Sequence, residues 1–221
     1  MIKILFGFLF LINTSFAFDL ALDVGHNIKS FGTTSSTCVK EYTYNLELTK
    51  YLISNLSNNK NFNIESNIDN SKTTFKERYE LSNNKDLFIS IHHDSTQKQF
   101  IDYKNKCPQT DYASGFSIFV SKKNIDFEKS FNYAKKFATS LINLGLKPTL
   151  HHNENIKGEN RELLDEKLGI YLFDDLLVLK NSKSPAFLFE AGVIVNPIDE
   201  KKVRTEIFKN KIVESIKNLR G

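Results

Sequence analysis

Residues 86–94 read DLFISIHHD. Leu87, Ile89 and Ile91 point one way along an extended chain, and Phe88 and Ser90 the other. The segment is a compact strand, and it ends in two imidazoles and a carboxylate. Upstream, residues 18–24 alternate and stop at Gly25, which reads as a strand, and a polar loop follows over 25–40. Residues 41–56 place Tyr44, Leu48, Tyr51, Leu52 and Leu56 at helical spacing, with Glu41 at the amino end where the helix dipole favours an acid. A short strand is expected at 61–64 and a helix over 73–84, with Phe75, Tyr79 and Leu81 as its apolar positions.

Downstream, 94–114 reads as a polar loop and 115–120 as a strand. Residues 126–144 form a helix that Gly145 can close. The stretch 151–161 is polar and irregular, and 171–179 is apolar without a clear period. A buried-type strand follows Pro185 at 186–189, and an amphipathic helix over 199–219 ends the chain. Strands alternating with helices predict a single α/β domain with a mainly parallel, twisted sheet and helices on both faces.

The 221 residues suffice for one sizeable domain. Residues 1–17 have the layout of a secretory signal: Lys3, an apolar run over 4–12, and Ser15-Phe16-Ala17 at the cleavage site. The run falls short of the ~20 residues a spanning helix needs. The expected product is a mature catalytic domain, 18–221, periplasmic or secreted and without a transmembrane segment. In that compartment Cys38 and Cys107 read as a disulfide, the alternative being two buried thiols. The formal net charge is +4, with basic residues spread along the chain, which argues against a nucleic-acid stripe. A monomer is expected.

In a parallel sheet the ligand crevice lies beyond the carboxyl ends of the strands. Those ends carry Asp23-Val24-Gly25-His26, His92-His93-Asp94 and Glu190-Ala191-Gly192, and Glu41 opens the helix beside them. Imidazole nitrogens and carboxylate oxygens are zinc ligands, and a catalytic zinc keeps three of them with a place for water. A further carboxylate can take that water's proton. Each of these residues also has a structural reading taken singly: a satisfied polar side chain, a helix-end charge, an ion-pair partner.

The stretches LALDVGH (20–26), EYTYNLELTKYL (41–52), ERYELSNNKDLFISIHHDS (77–95) and SPAFLFEAGVIVN (184–196) together resemble the zinc-dependent N-acetylmuramoyl-L-alanine amidases of the amidase_3 type, over nearly the whole mature chain. The resemblance implies one zinc ion held by His26, Glu41 and His92, with Glu190 as the catalytic base and then acid. It implies a peptidoglycan substrate, cut between N-acetylmuramic acid and L-alanine. Two positions depart from the family pattern. Asn27 stands where many members have glycine, and His93-Asp94 stands where many have a small residue after the second histidine. The doublet leaves His93 as a competitor for the ligand role or a residue near the substrate. Asp23 can orient His26 or be structural, and Arg78 reads as a helix-to-sheet tie. His151 and His152, in HHNENIKGENRELL (151–164), are substrate-loop residues or exposed polar ones.

Rival readings are a zinc peptidase of another class and a non-catalytic peptidoglycan-binding protein of the same fold. HExxH, GxSxG, P-loop and GxGxxG motifs are all missing from the sequence.

Overall fold

The computed structural model describes residues 17–69 and 72–220. The expected signal over 1–17 therefore lies outside the described residues, apart from Ala17. The strands are β1 (Phe18–Val24), β2 (Phe62–Ser66), β3 (Leu87–Asp94), β4 (Asp102–Lys104), β5 (Cys107–Gln109), β6 (Ser117–Val120), β7 (Leu163–Asp165), β8 (Ile170–Leu172) and β9 (Ala186–Val193). The helices are α1 (Glu41–Leu56), α2 (Phe75–Glu80), α3 (Phe127–Asn143), α4 (Leu177–Lys180), α5 (Pro197–Val203) and α6 (Glu206–Lys217). Seven strands form one sheet in the order β2-β1-β3-β9-β6-β8-β7. The run from β2 to β9 is parallel; β6 lies antiparallel to β9, and β7 to β8. The α/β domain with a mostly parallel sheet is as the sequence predicts.

Alternation of side chains divides the core in two. Leu20, Leu22, Ile89, Ile91, Phe187 and Phe189 pack on one face beneath α1, α3 and α6. Ala21, Phe88, Phe119 and Leu188 form a smaller cluster on the other face, covered by α4. The polar residues that share this second face fall at its carboxyl edge. Asp23 is the register partner of Ser90, and Glu190 is the partner of both His92 and Ser117. Two successive rows of polar groups, Asp23–Ser90 and His92–Glu190–Ser117, thus span four strands.

Several elements differ from the sequence reading. The helix expected over 73–84 is only α2, because Thr74 begins it with a reciprocal capping box to Glu77. The single helix expected over 199–219 is two. Asn196 caps α5 ahead of Pro197, and Thr205 accepts from Phe208 N at 3.2 Å to start α6. The apolar stretch 171–179 divides between β8 and α4. The polar loop 94–114 contains the β4–β5 hairpin, whose short strands lack an apolar face for the sequence pattern to show.

Candidate metal centre and its surroundings

Glu41 is the first residue of α1, which the buried side chains of Tyr44, Leu48, Leu52 and Leu56 press onto the sheet. Its backbone N–H donates to Thr33 O at 2.9 Å, so the 25–40 loop is folded back over the helix start. Glu200 of α5 fastens that loop, accepting from Ser35 Oγ at 2.8 Å and from Ser36, Thr37 and Tyr44. Glu41 then stands between two imidazoles. Its Oε2 is 3.1 Å from His26 Nε2, and its Oε1 is 3.1 Å from His92 Nδ1. The two rings meet edge-on, with centroids 4.7 Å apart.

Burial acts to raise the Glu41 pKa, but hydrogen bonds and charge from His26 and His92 hold it well below the usual carboxylate range. His92 is lowered by burial. Two glycines leave room for the cluster. A Cβ on Gly25 would lie 2.4 Å from His92 Nε2, and one on Gly32 (φ +76°) would lie 2.0 Å from Glu41 Oε2. His26 itself takes a left-handed backbone conformation, φ +65°, at the end of β1.

Alternation along β3 turns the His92-His93 doublet to opposite faces, and beyond His92 the pairing with β9 shifts register, two β9 residues standing opposite His93. His92 stays in the row beside Glu190. His93 turns to α1, where its Nδ1 is 2.8 Å from Asn45 Oδ1 and its ring packs on Tyr44. Burial pushes His93 down to about 3, so it is a neutral core imidazole. Asn45 also donates to Glu41 Oε1 at 3.1 Å and to Gly25 O at 3.1 Å, bracing the cluster from behind. Sequence reasoning missed Asn45, although its i+4 spacing from Glu41 on one helix face was a usable signal.

Asp23 does not orient His26. It is fully buried and binds Arg78 through Nε at 2.9 Å and Nη2 at 2.8 Å, Ser90 Oγ at 2.7 Å and Asn67 Nδ2 at 3.1 Å. Arg78 is the helix-to-sheet tie, and its Nη2 also reaches within 3.2 Å of His92 Nε2. Asp23 is therefore linked to the second histidine only through the guanidinium.

Glu190 is half-buried, and its Oε2 has no hydrogen-bond partner among the described residues. Burial, then the like charges of Asp94 and Glu41, push its pKa well above the ordinary carboxylate value.

His151 and His152 are buried, which removes the exposed reading. His152 is clamped between two carboxylates, with Nε2 2.7 Å from Asp94 Oδ2 and Nδ1 2.9 Å from Glu159 Oε2. Burial alone would lower it, but the Asp94 and Glu159 charges raise it to about 10. His151 bridges Thr149 Oγ1 at 2.9 Å and Ser95 O at 3.1 Å. Sequence reasoning placed Asp94 at a strand end but missed its pairing with His152, and missed Glu159 altogether, because these groups meet only when the 151–161 loop closes on β3.

Both trios, His26/Glu41/His92 and Asp94/His151/His152, bring potential ligand atoms within 4.8 Å of one another. Two donors at 2.0–2.1 Å from one tetrahedral zinc lie about 3.3 Å apart. The 3.1 Å pairs of the first trio approach that spacing, whereas 2.7 Å between His152 and Asp94 is a direct hydrogen bond. Two imidazoles and a carboxylate at near this spacing are a donor set that fits a zinc ion, whereas in the second trio His152 is committed on both ring nitrogens to Asp94 and Glu159. Cys38 and Cys107 are disulfide-bonded, tying the loop before Glu41 to the β4–β5 hairpin.

The chain is similar to known proteins over most of its length. A Buchnera aphidicola protein from strain APS, provisionally named N-acetylmuramoyl-L-alanine amidase, is 27% identical over 89% of this chain and 90% of its own length. A second, from strain Sg, is 25% identical over 88% and 91%. Among solved structures, the N-acetylmuramoyl-L-alanine amidase of Clostridium difficile 630 superposes with a TM-score of 0.69 at 23% identity, covering 90% of this chain and 92% of that one. Ami1 of Mycobacterium smegmatis superposes with 0.73 at 18%, covering 94% and 98%. At these identities the two structures establish the shared fold. The profile of the family described as Amidase_3, N-acetylmuramoyl-L-alanine amidase, matches residues 20–219, and the chain belongs to that family.

Proposed function

We propose that this protein is an exported peptidoglycan hydrolase that cuts the amide bond between N-acetylmuramic acid and L-alanine. His26, Glu41 and His92 would hold one zinc ion, and Glu190 would move the protons. The observation that carries the reading is the unpartnered Glu190 Oε2, on the residue registered directly beside His92. A buried carboxylate oxygen without a partner is costly, and such groups are kept where they have chemical work.

When bound, zinc polarises the amide carbonyl and lowers the pKa of water. Glu190 takes a proton from the attacking water and delivers it to the departing alanine nitrogen. Burial, then the like charges of Asp94 and Glu41, push the Glu190 pKa well above the ordinary carboxylate value. A dication held by His26, Glu41 and His92 would act in the opposite sense and favour the carboxylate form of Glu190. Asn45 and Thr33 fix the Glu41 carboxylate through hydrogen bonds.

The test is release of stem peptide from purified peptidoglycan by the mature protein, with and without a chelator, and mass spectrometry of the cut bond. A new N-terminal alanine and loss of activity on complete zinc removal are expected. Cleavage within the peptide would favour a zinc peptidase, and zinc binding without cleavage a binding protein. Activity that survives verified removal of zinc would sink the mechanism.

A further inference from the structure

Glu190 also lines a cavity of about 220 Å³ on the side of the sheet away from α1. Phe119, Phe173, Leu176 and Leu188 make its apolar walls, and Arg161 supplies a cation. The volume is below the ~300 Å³ at which small-molecule pockets usually begin, so it suits one residue of a peptide and excludes a sugar with its peptide.

Arg161 is positioned by a ring contact and by its backbone. Its guanidinium stacks on the Phe173 ring at 3.7 Å, a favourable cation–π placement. Its backbone N–H donates to His152 O at 2.7 Å. Its head makes one long hydrogen bond, Nη2 to Gly158 O at 3.5 Å, and has no carboxylate partner among the described residues. The other acid in the cavity wall, Glu159, is already engaged by His152 Nδ1 at 2.9 Å and Gln97 Nε2 at 2.8 Å. Arg161 is therefore the cation left free to take an incoming anion, and a planar guanidinium suits a carboxylate bidentately. The loop that carries it is closed on the strand end by the Asp94–His152–Glu159 clamp.

We propose that this cavity is a subsite for the leaving peptide, in which Arg161 binds a carboxylate borne by the residue that follows the new N-terminal alanine. The assignment rests on the amidase reading above. Cleavage beside Glu190 leaves the alanine nitrogen at the cavity mouth, and the next residue of the departing chain is the one that reaches in. An acidic residue there would be recognised over its amidated counterpart, which makes Arg161 a specificity determinant.

The experiment compares two soluble muramoyl peptides, identical except that the second residue carries either a free carboxylate or its amide. Zinc-loaded wild-type protein, Arg161→Met and Arg161→Lys are assayed, with thermal unfolding to verify their fold. The expected result is a KM at least tenfold higher for the acidic peptide in Arg161→Met, with under twofold change for the amide. Arg161→Lys should recover part of the loss. Equal effects on both peptides, or no effect on either, overturn the subsite. If wild-type protein cleaves neither peptide, the amidase reading fails on its own. Calorimetry with the free alanyl peptides then still decides the subsite: at least tenfold weaker binding of the amidated form to wild-type protein supports it, and equal or undetectable binding of both overturns it.

Discussion

His92 and Glu190 are direct register partners on the parallel strands β3 and β9, although 98 residues separate them in the chain. Parallel pairing places both side chains on one face at the same depth, so a candidate ligand and a candidate base are neighbours by sheet geometry alone. Replacing Glu190 by Gln keeps the shape and removes the base. Turnover on peptidoglycan should fall by about 10²–10⁴-fold, with zinc content unchanged. Full turnover in a zinc-containing Glu190→Gln protein would exclude the assignment.

The trio of His26, Glu41 and His92 is expected to bind one zinc per chain, measured by elemental analysis of purified protein. Glu41→Ala should lose zinc because both imidazoles lean on that single carboxylate. His93→Gln should retain it, since His93 faces α1 and Asn45. Zinc loss in His93→Gln alone, with His92→Gln intact, would move the ligand role to His93.

His152 carries a pH signature. Its pKa is raised from 6.5 to about 10 in the folded protein. The stabilisation from its charged form is thus fully present below about pH 6.5 and is lost as pH rises through about 10. Urea unfolding of wild-type protein and His152→Gln should show a stability gap that is largest near pH 6 and narrows towards pH 10. A gap independent of pH over that range would show that His152 acts by packing alone.

The Cys38–Cys107 disulfide closes a loop with a sequence separation of 69. Chain-entropy arguments assign such a crosslink about 4 kcal/mol, and engineered examples commonly give less. Cys38→Ser/Cys107→Ser should unfold at lower urea by an amount equivalent to about 2–4 kcal/mol. Because the bond ties the loop before Glu41 to the hairpin after His92, zinc should also dissociate faster from the double variant. Unchanged zinc release with the expected destabilisation would separate the two roles.

The amino-acid sequence by itself determined the alternation of strands and helices, the start and end of α1, and which strand ends carry chemistry. Those are local properties: apolar period, capping residues, and the side chains that follow an apolar run. It also showed His26, Glu41, His92 and Glu190 as the residues worth bringing together. It left the choice between His92 and His93 open, since adjacent residues differ only in the face they take. Alternation along β3 puts His93 on the α1 face with Ile91 and His92 on the opposite face with Ser90, and only the packing of α1 on the first face showed which of the two meets Glu41 and which is a core imidazole. Tertiary structure alone decided the partner of Asp23, which is Arg78 rather than His26. It alone closed the 151–161 loop through His152, Asp94 and Glu159. Those contacts link residues 55 to 58 positions apart or join a loop to a strand end. No periodicity encodes them, because they exist only once burial makes an unpaired charge too costly to keep.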